Sequence, residues 1–384
     1  MASQVMNRIV VQKYGGSSVG DLVRLRGVAE RIARTRAEGA SVVVVVSAMG
    51  NTTNELIALA KQVAAKPDRR EMDMLISVGE RISMALLAMA LRDLGVPAVS
   101  LTGSQSGIIT DESHADARVV EVRPDRVRRA LEDGLVAIVA GFQGMSRARE
   151  VTTLGRGGSD TTAVVLAAAL NAEHCEICSD VDGVWSADPR VVPGAVKLDS
   201  LALDEALALG RGGAKVLYEE AVRYARDKGV SIVASSTFGT GTGTVIGPTP
   251  SPSAFAVTSD EQLVAVRLGG DPSATARAIA AAGGKVRRKH GDLVQVDVRN
   301  AHGGLAHLPG MLGPIAVVTA VRSGLGERLV DVESLGGALA AAQLTVLDSG
   351  CSGDLAWWQV PPAEVAAATR VLHESLGQTA TSAA

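Results

Sequence analysis

Short β-branched runs alternate with longer runs whose apolar residues recur every three or four positions, and this alternation organises the first two thirds of the chain. Residues 8–13 and 41–47 read as strands, the second carrying Val42 to Val46 in unbroken succession, as a strand buried on both faces does. Between them, 21–36 sets Leu22, Leu25, Val28, Ala29 and Ile32 on one helical face. A helix is predicted from Asn54 and a long one over 71–91, with Met74, Val78, Ile82, Leu86 and Met89 as its apolar stripe. Gly79 inside that helix costs about 1 kcal/mol against Ala, which marks a close approach. Further strands are predicted over 96–101, 136–140, 175–178 and 230–235, with a helix over 161–170. Strands alternating with helices imply a mainly parallel sheet covered on both faces, with ligands gathered at the carboxyl ends of its strands. A Gly-, Thr-, Pro- and Ser-rich stretch at 239–252 reads as a linker. Beyond it the pattern becomes β-α-β-β twice over, a ferredoxin-like order. Its strands are read over 263–268, 286–290, 293–298, 314–321, 328–332, 344–347 and 355–360, and its helices over 273–282, 335–342 and 363–376. The tail after Gly377 is expected to be disordered.

Polar and glycine turns follow the strands of the first part. The run Lys13-Tyr14-Gly15-Gly16-Ser17-Ser18 gives strand, glycine turn and helix, a phosphate-cradling order. Its lysine precedes the glycines, so it is not a Walker A loop. After the second strand, Thr52 or Thr53 either caps a helix or touches a substrate. Glu80 either faces solvent or holds a substrate ammonium. The stretch 151–190 is richest in chemistry. Gly155-Arg156-Gly157-Gly158-Ser159-Asp160 offers free backbone N–H groups at a helix start, and Arg156 adds a fork for carboxylate or phosphate. The acidic loop over 179–188 suits ribose hydroxyls, a cationic group or a metal-bound phosphate. Residues 211–217 read as another glycine-led helix start, with Lys215 in it.

Composition narrows the classes. A net charge of -3 asks for neither nucleic acid nor an anionic membrane, and 2% aromatic content supplies no base-stacking surface. Three cysteines fit a reducing cytoplasm rather than a disulfide framework. Cys175 and Cys178 sit three apart on a strand, so their sulfurs point to opposite faces and read as core side chains. The start MASQVMNRIVVQKY lacks the apolar core of a signal peptide, and no run is read as a membrane span. The six histidines show no metal-ligand spacing.

The runs VVQKYGGSSVGD, VVVVVSAMGNTTNEL, EMDMLISVGERIS, LTGSQSGIIT, GFQG, VTTLGRGGSDTTAV, SDVDGVWSADPR and GGAKVL resemble the aspartate kinases, of the amino-acid kinase family. The resemblance covers nearly all of 7–246. It implies a carbamate-kinase-like three-layer α/β/α domain over 1–246, a linker over 247–253, ACT-like ferredoxin-like domains over 254–325 and 326–377, and a tail over 378–384. It implies transfer of phosphate from ATP, accompanied by Mg2+, to the side-chain carboxylate of L-aspartate. In this reading Lys13 neutralises the transferring phosphoryl group, Asp160 organises the lysines and Arg156 clamps a carboxylate. Ser47, Thr53, Glu80, Arg156 and Ser159 stand where the family binds aspartate. Lys13, Gly15, Gly16, Ser17, Ser179, Asp180, Trp185, Asp188, Arg190 and Lys215 stand where it binds ATP, with Trp185 in place of a usual tyrosine. No protein metal cluster is implied, because phosphates and water hold the magnesium.

The resemblance further implies a cytoplasmic homo-oligomer, dimer or tetramer, joined through the ACT-like half. That half departs from the family pattern at 284–289, 328–337 and 344–354, and Ala234 replaces a usual arginine. Lysine and threonine feedback is therefore expected to be altered or lost, with Arg287 to Lys289 repelling a cationic effector. Two other readings stay open at this point: a kinase of another amino-acid carboxylate, and a non-catalytic regulatory subunit. The presence of Lys13, Arg156, Asp160 and Lys215 weighs against the second.

Overall fold

The computed structural model describes residues 8–214, 216–249, 254–269, 271–298 and 310–381, with side chains to residue 377. The chain divides into two compact units. The first draws on Met1–Val184, Asp199–Leu203 and Val216–Thr249, and the second on Trp185–Leu198, Asp204–Lys215 and Pro250–Ala384.

The first unit begins with β1 (Ile9–Tyr14), α1 (Leu22–Ala37), β2 (Ser41–Val46), α2 (Thr52–Val63), α3 (Arg69–Ile76) and α4 (Val78–Asp93). It continues through β3 (Ala98–Leu101), β4 (Ile108–Thr110), β5 (Val119–Val122), α5 (Asp125–Glu132), β6 (Val136–Ala140), β7 (Gln143–Ser146) and β8 (Val151–Thr153). Next come α6 (Gly158–Leu170), β9 (His174–Ser179) and β10 (Ser200–Ala202). After α7 (Leu203–Gly212), most of which belongs to the second unit, it ends with α8 (Glu219–Lys228), β11 (Ile232–Ser236) and β12 (Thr244–Gly247).

Eight strands form the main sheet in the order β10-β12-β11-β9-β1-β2-β6-β3. All its pairings are parallel except β11 with β12. Val42 to Val46 are buried in the middle of this sheet, which is why that strand shows no polar alternation. On one face Leu25, Val28, Ala29 and Ile32 of α1 and Leu87 and Leu91 of α4 pack on Val10, Val42, Val44 and Ile138. On the other lies α6, buried along most of its length and set against β1, β2 and β9. The layers are helix, sheet, helix. A second, four-stranded sheet, β5-β4-β7-β8, is not anticipated by the sequence pattern, its strands being only three or four residues long.

Four expectations need correction here. Residues 71–91 are not one helix, because Ser77 stands between α3 and α4. Nor do the expected residues form the buried stripe: Met74, Val78, Ile82 and Met89 are 40%, 39%, 46% and 65% exposed. The face turned inward carries Gly79, Glu80, Ser83, Met84, Leu87, Ala88 and Leu91. The combined Arg69–Asp93 stretch is long and apolar enough to cross a membrane, yet half of its apolar window is buried inside the protein, as in a core helix. Third, 211–217 does not start a helix. Arg211 and Gly212 close α7, Gly213 has a φ of +106°, and the next helix begins at Glu219. Within the stretch read as a linker, Thr244–Gly247 is a strand of the main sheet.

The second unit contains β13 (Phe255–Arg267), α9 (Pro272–Ala281), β14 (Lys285–His290), β15 (Leu293–Asp297) and β16 (Met311–Arg322). α10 (Leu329–Ala341), β17 (Asp348–Ser352), β18 (Leu355–Val360) and α11 (Val365–Thr381) complete it. Two β-α-β-β repeats thus share one sheet, ordered β14-β15-β13-β16-β18-β17. Asp271 caps α9 by accepting from the N–H groups of Ser273 and Ala274, and Pro272 occupies its first turn. Two predicted strands are absent. Residues 328–332 open α10, where Asp331 binds Arg322 at 2.6 Å and meets Arg328 one turn back. The pairing expected of 344–347 falls instead on the polar 348–352, fixed by its register against β18. The backbone of α11 runs on to Thr381, so 378–381 are helical and 382–384 lie outside the described residues.

Candidate active site

The carboxyl ends of the neighbouring strands β1, β2 and β6 meet the start of α6. Lys13 is the penultimate residue of β1, paired in register with Val45 on one side and Ile177 on the other. The turn after it closes through Ser18 N–H donating to the Gly15 carbonyl at 2.9 Å. It is joined to the turn after β2 twice, by Ser47 N–H to Tyr14 O at 3.1 Å and Gly50 N–H to Gly16 O at 3.1 Å. A Cβ on Gly16 would lie 2.9 Å from the Ala48 carbonyl oxygen, so only glycine lets the two turns approach. The Gly141 N–H donates to Val46 O at 3.0 Å, bringing in the end of β6. A Cβ on Gly141 would sit 2.7 Å from the Ser159 hydroxyl, which places Ser159 and the start of α6 against that turn.

Asp160, in the first turn of α6, completes the centre. Its Oδ1 is 2.6 Å from Lys13 Nζ, with the two side chains 4% and 12% exposed. The approach lies off the hydrogen-bonding direction, so Asp160 Oδ1 has charge compensation but no donor of its own. Helix α6 is entered through Gly157, whose φ of +72° favours glycine, and Tyr218 packs over that position. Arg156 projects from this entry turn as an exposed residue. The hydroxyl of Thr52 donates to the Met49 carbonyl at 2.7 Å, which leaves Thr53 as the half-buried hydroxyl of the first turn of α2 with a substrate role open to it.

Glu80 reaches the same region from α4. A Cβ on Gly79 would lie 2.7 Å from Ala48 Cβ, so Gly79 allows the helix to touch the end of β2. Glu80 Oε1 accepts from the Ala48 N–H at 3.1 Å, while Oε2 is buried with no donor. Burial pushes this carboxyl up from 4.5 to about 7, against the opposing pull of its backbone hydrogen bonds. An ammonium group is the partner that would satisfy both the open oxygen and the charge.

Sequence reasoning missed Asp73, which is fully buried on α3. It accepts from Thr153 Oγ1 at 2.5 Å and from the Ala115 N–H at 3.1 Å, and pairs with His114 Nδ1 at 2.7 Å. Thr153 ends β8 just before the Gly155–Gly157 turn, so Asp73 ties α3 to the approach of Arg156. A lone acid between Met72 and Met74 was the available signal, but its partners are remote in sequence.

Ser179 ends β9, the neighbour of β1, at the same edge, and Asp180 follows it. Trp185, Asp188 and Arg190 belong to the second unit. There Trp185 bridges to Lys197, and Arg190 donates to Asp188 Oδ2 at 2.7 Å. Lys215 lies outside the described residues. Cys175 and Cys178 are free and buried, and burial raises both thiols, Cys178 to about 12, so neither is a ready nucleophile. Among the described residues no three His, Cys, Asp or Glu side chains cluster as a metal site. In the second unit, Arg287 is neutralised by Asp297 at 2.9 Å and Arg288 lies over the Trp357 ring at 5.1 Å. The cationic run at 287–289 is therefore not three free charges.

Residues 8–234 match the Amino acid kinase family. An aspartokinase of Corynebacterium glutamicum is 57% identical over 239 residues, which is 62% of this chain and 57% of that protein. The chain thus spans little more than half the length of this curated relative. Among solved structures, aspartate kinase from Synechocystis is 33% identical with a TM-score of 0.58, the match covering 96% of this chain and 69% of that one. E. coli aspartokinase III in complex with aspartate and ADP superposes with a TM-score of 0.78 over 96% of this chain and 99% of that one, at 23% identity. The three-layer fold, the glycine turns at its strand ends and the match over 8–234 agree: this chain belongs to the amino acid kinase family.

Proposed function

We propose that this chain phosphorylates the side-chain carboxylate of L-aspartate with ATP, giving 4-phospho-L-aspartate. The observation that carries the reading is the convergence of Lys13, Asp160, the two joined turns and the unsatisfied Glu80 at one set of strand ends. The aspartokinase relatives and the aspartate and ADP in the E. coli structure support this choice of substrates.

A carboxylate is already ionised at neutral pH, so it attacks phosphorus without a general base. The obstacle is repulsion between two anions. Lys13 supplies the positive charge at the transferring phosphoryl group, and Asp160 holds its ammonium in place until the phosphates arrive. Main-chain amides of the turn at Gly15, Gly16 and Ser17 face the phosphates and fix their line of approach. Arg156 clamps a substrate carboxylate, Glu80 takes the α-ammonium, and Ser47, Thr53 and Ser159 border the aspartate. Ser179 and Asp180 serve the nucleotide, and the resemblance implies the same role for Trp185, Asp188, Arg190 and Lys215. Magnesium accompanies ATP as part of the substrate and is held through phosphates and water.

In this proposal the protein works in the cytoplasm as a homo-oligomer joined through its second unit, with altered lysine and threonine control. The neutralised Arg287 narrows the electrostatic case for altered control to Arg288 and Lys289. The central test is ATP-dependent hydroxamate formation with aspartate, glutamate and N-acetylglutamate. Aspartate should be the preferred acceptor by more than an order of magnitude; preference for another acid, or no turnover with any, overturns the reading.

A further inference from the structure

Beneath the strand ends assigned to the nucleotide lies a buried polar network that phosphoryl transfer does not use. Arg31 of α1 is its centre, with a side chain only 16% exposed. Through Nη1 it donates to the carbonyls of Ser236 and Thr237, the latter at 2.8 Å. Through Nη2 it donates to the Glu176 carboxylate and to Ser235 Oγ at 3.2 Å. Glu176 also accepts from the Ser235 hydroxyl at 2.9 Å and from the Gln12 amide at 2.8 Å. One guanidinium thus grips the end of β11 by two consecutive carbonyls while its charge is balanced on β9.

The consequence appears at Thr237, which is 3% exposed. Its N–H donates to the Ser179 carbonyl at 2.8 Å, and its hydroxyl shares a hydrogen bond with Ser18 Oγ at 2.6 Å. Ser18 belongs to the glycine turn after β1, and Ser179 ends β9. One residue therefore touches both loops assigned to ATP, and Arg31 holds that residue from behind. A buried ion pair is by itself a weak source of stability. Gripping two successive carbonyls is instead what fixes a strand end in one place.

We propose that Arg31 and Thr237 are positioning residues for the nucleotide. Arg31 immobilises the end of β11 so that Thr237 keeps Ser18 and Ser179 at the separation that the phosphates and ribose of a nucleoside triphosphate require. The inference rests on the ATP reading above and deepens it. Both side chains act through the loops assigned to ATP, so the effect should fall on ATP affinity and leave the aspartate KM in place.

The test is titration calorimetry with Mg-ATP, alongside steady-state constants for both substrates and melting temperatures, on the full chain. T237V loses one buried hydroxyl contact while keeping its N–H, and should weaken ATP binding roughly tenfold. T237S keeps the hydroxyl and should bind within about twofold of wild type. R31K keeps the charge beside Glu176 but not the two-carbonyl grip, and should lose roughly tenfold or more in ATP affinity with an unchanged aspartate KM. Should the single Arg31 variants fold poorly, R31M/E176M removes both charges together; it should melt near wild type and still bind ATP weakly. Wild-type ATP affinity in folded T237V, or in a stable R31M/E176M, overturns the proposal. So does an equal loss in the ATP and aspartate constants, which would mark a general defect. Absence of ATP binding in wild type would instead bring down the functional reading on which the inference stands.

Discussion

Replacing Glu80 with Gln isolates the charge at the proposed ammonium site. The amide keeps an acceptor for the Ala48 N–H, which Glu80 receives at 3.1 Å, and changes the volume hardly at all. The loss is then the interaction between a buried carboxylate oxygen without a donor and the substrate ammonium. A hydrogen bond to a charged group contributes about 1.5–3 kcal/mol, so the aspartate KM should rise roughly 10- to 150-fold while the ATP KM holds. Burial adds a pH signature, because it sets the carboxyl at about 7 in the free protein. Only about a tenth of it is ionised at pH 6 and about nine tenths at pH 8, so the wild-type aspartate KM should fall close to tenfold between them. In E80Q that slope should vanish. Stability moves the other way. A carboxyl raised from 4.5 to about 7 stabilises the fold fully at low pH, and that contribution fades as pH climbs through about 7. The interval corresponds to roughly 3 kcal/mol, so substrate-free E80Q should melt above wild type at pH 8 and near it at pH 5. Steady-state kinetics over pH 6–8 and melting curves over pH 5–8 measure both arms. A wild-type aspartate KM that is flat with pH, or an E80Q enzyme with an unaltered KM, would refute the ammonium assignment.

Lys13→Ala should remove at least a thousandfold of kcat. It should also lower the melting temperature, because Asp160 loses the ammonium at 2.6 Å; K13A/D160N should regain the melting temperature and not the rate, as differential scanning and turnover would show. Asp73→Asn leaves the three donors of Thr153, His114 and Ala115 facing a mixed acceptor, and should cost about 2–4 kcal/mol by chemical denaturation together with a raised aspartate KM. Gly79→Ala places a Cβ 2.7 Å from Ala48 Cβ and should push α4 off the end of β2, costing about 1–3 kcal/mol and raising the aspartate KM with little change for ATP.

Much of the first unit was legible because its strands are fully buried and its turns carry chemistry. Val42 to Val46 could be read as a central strand from composition alone. Lys13 and Asp160, 147 positions apart by their numbers, were paired through the resemblance, and their 2.6 Å contact gives that pairing a geometry. The four-stranded second sheet was not legible, because strands of three or four residues cut by glycine turns carry too few alternations to register. In the second unit the order of elements came through except for the strand expected over 328–332, which opens a helix, and the edges did not. Residues 348–352, Asp-Ser-Gly-Cys-Ser, have no strand propensity and pair only because β18 presents them with a partner.

The helix that carries Glu80 shows why pattern reading fails at a functional site. Periodicity finds an apolar stripe on 74, 78, 82, 86 and 89, and that stripe exists, but apart from Leu86 it faces outward. A second apolar face, Met84, Leu87, Ala88 and Leu91, competes with it and contains the polar Glu80 and Ser83 toward its start. By residue type alone, the face holding a glutamate and a serine is the worse candidate for burial. Packing inverts that ranking, because Gly79 lets only this face reach Ala48. Placing a carboxylate there raises it to about 7, a penalty that its hydrogen bond from the Ala48 N–H does not remove in the free protein. A residue held at such a cost on the side that hydropathy would reject is explained by a ligand that supplies the missing charge. The same reasoning therefore accounts for the misread stripe and for the substrate contact proposed at Glu80.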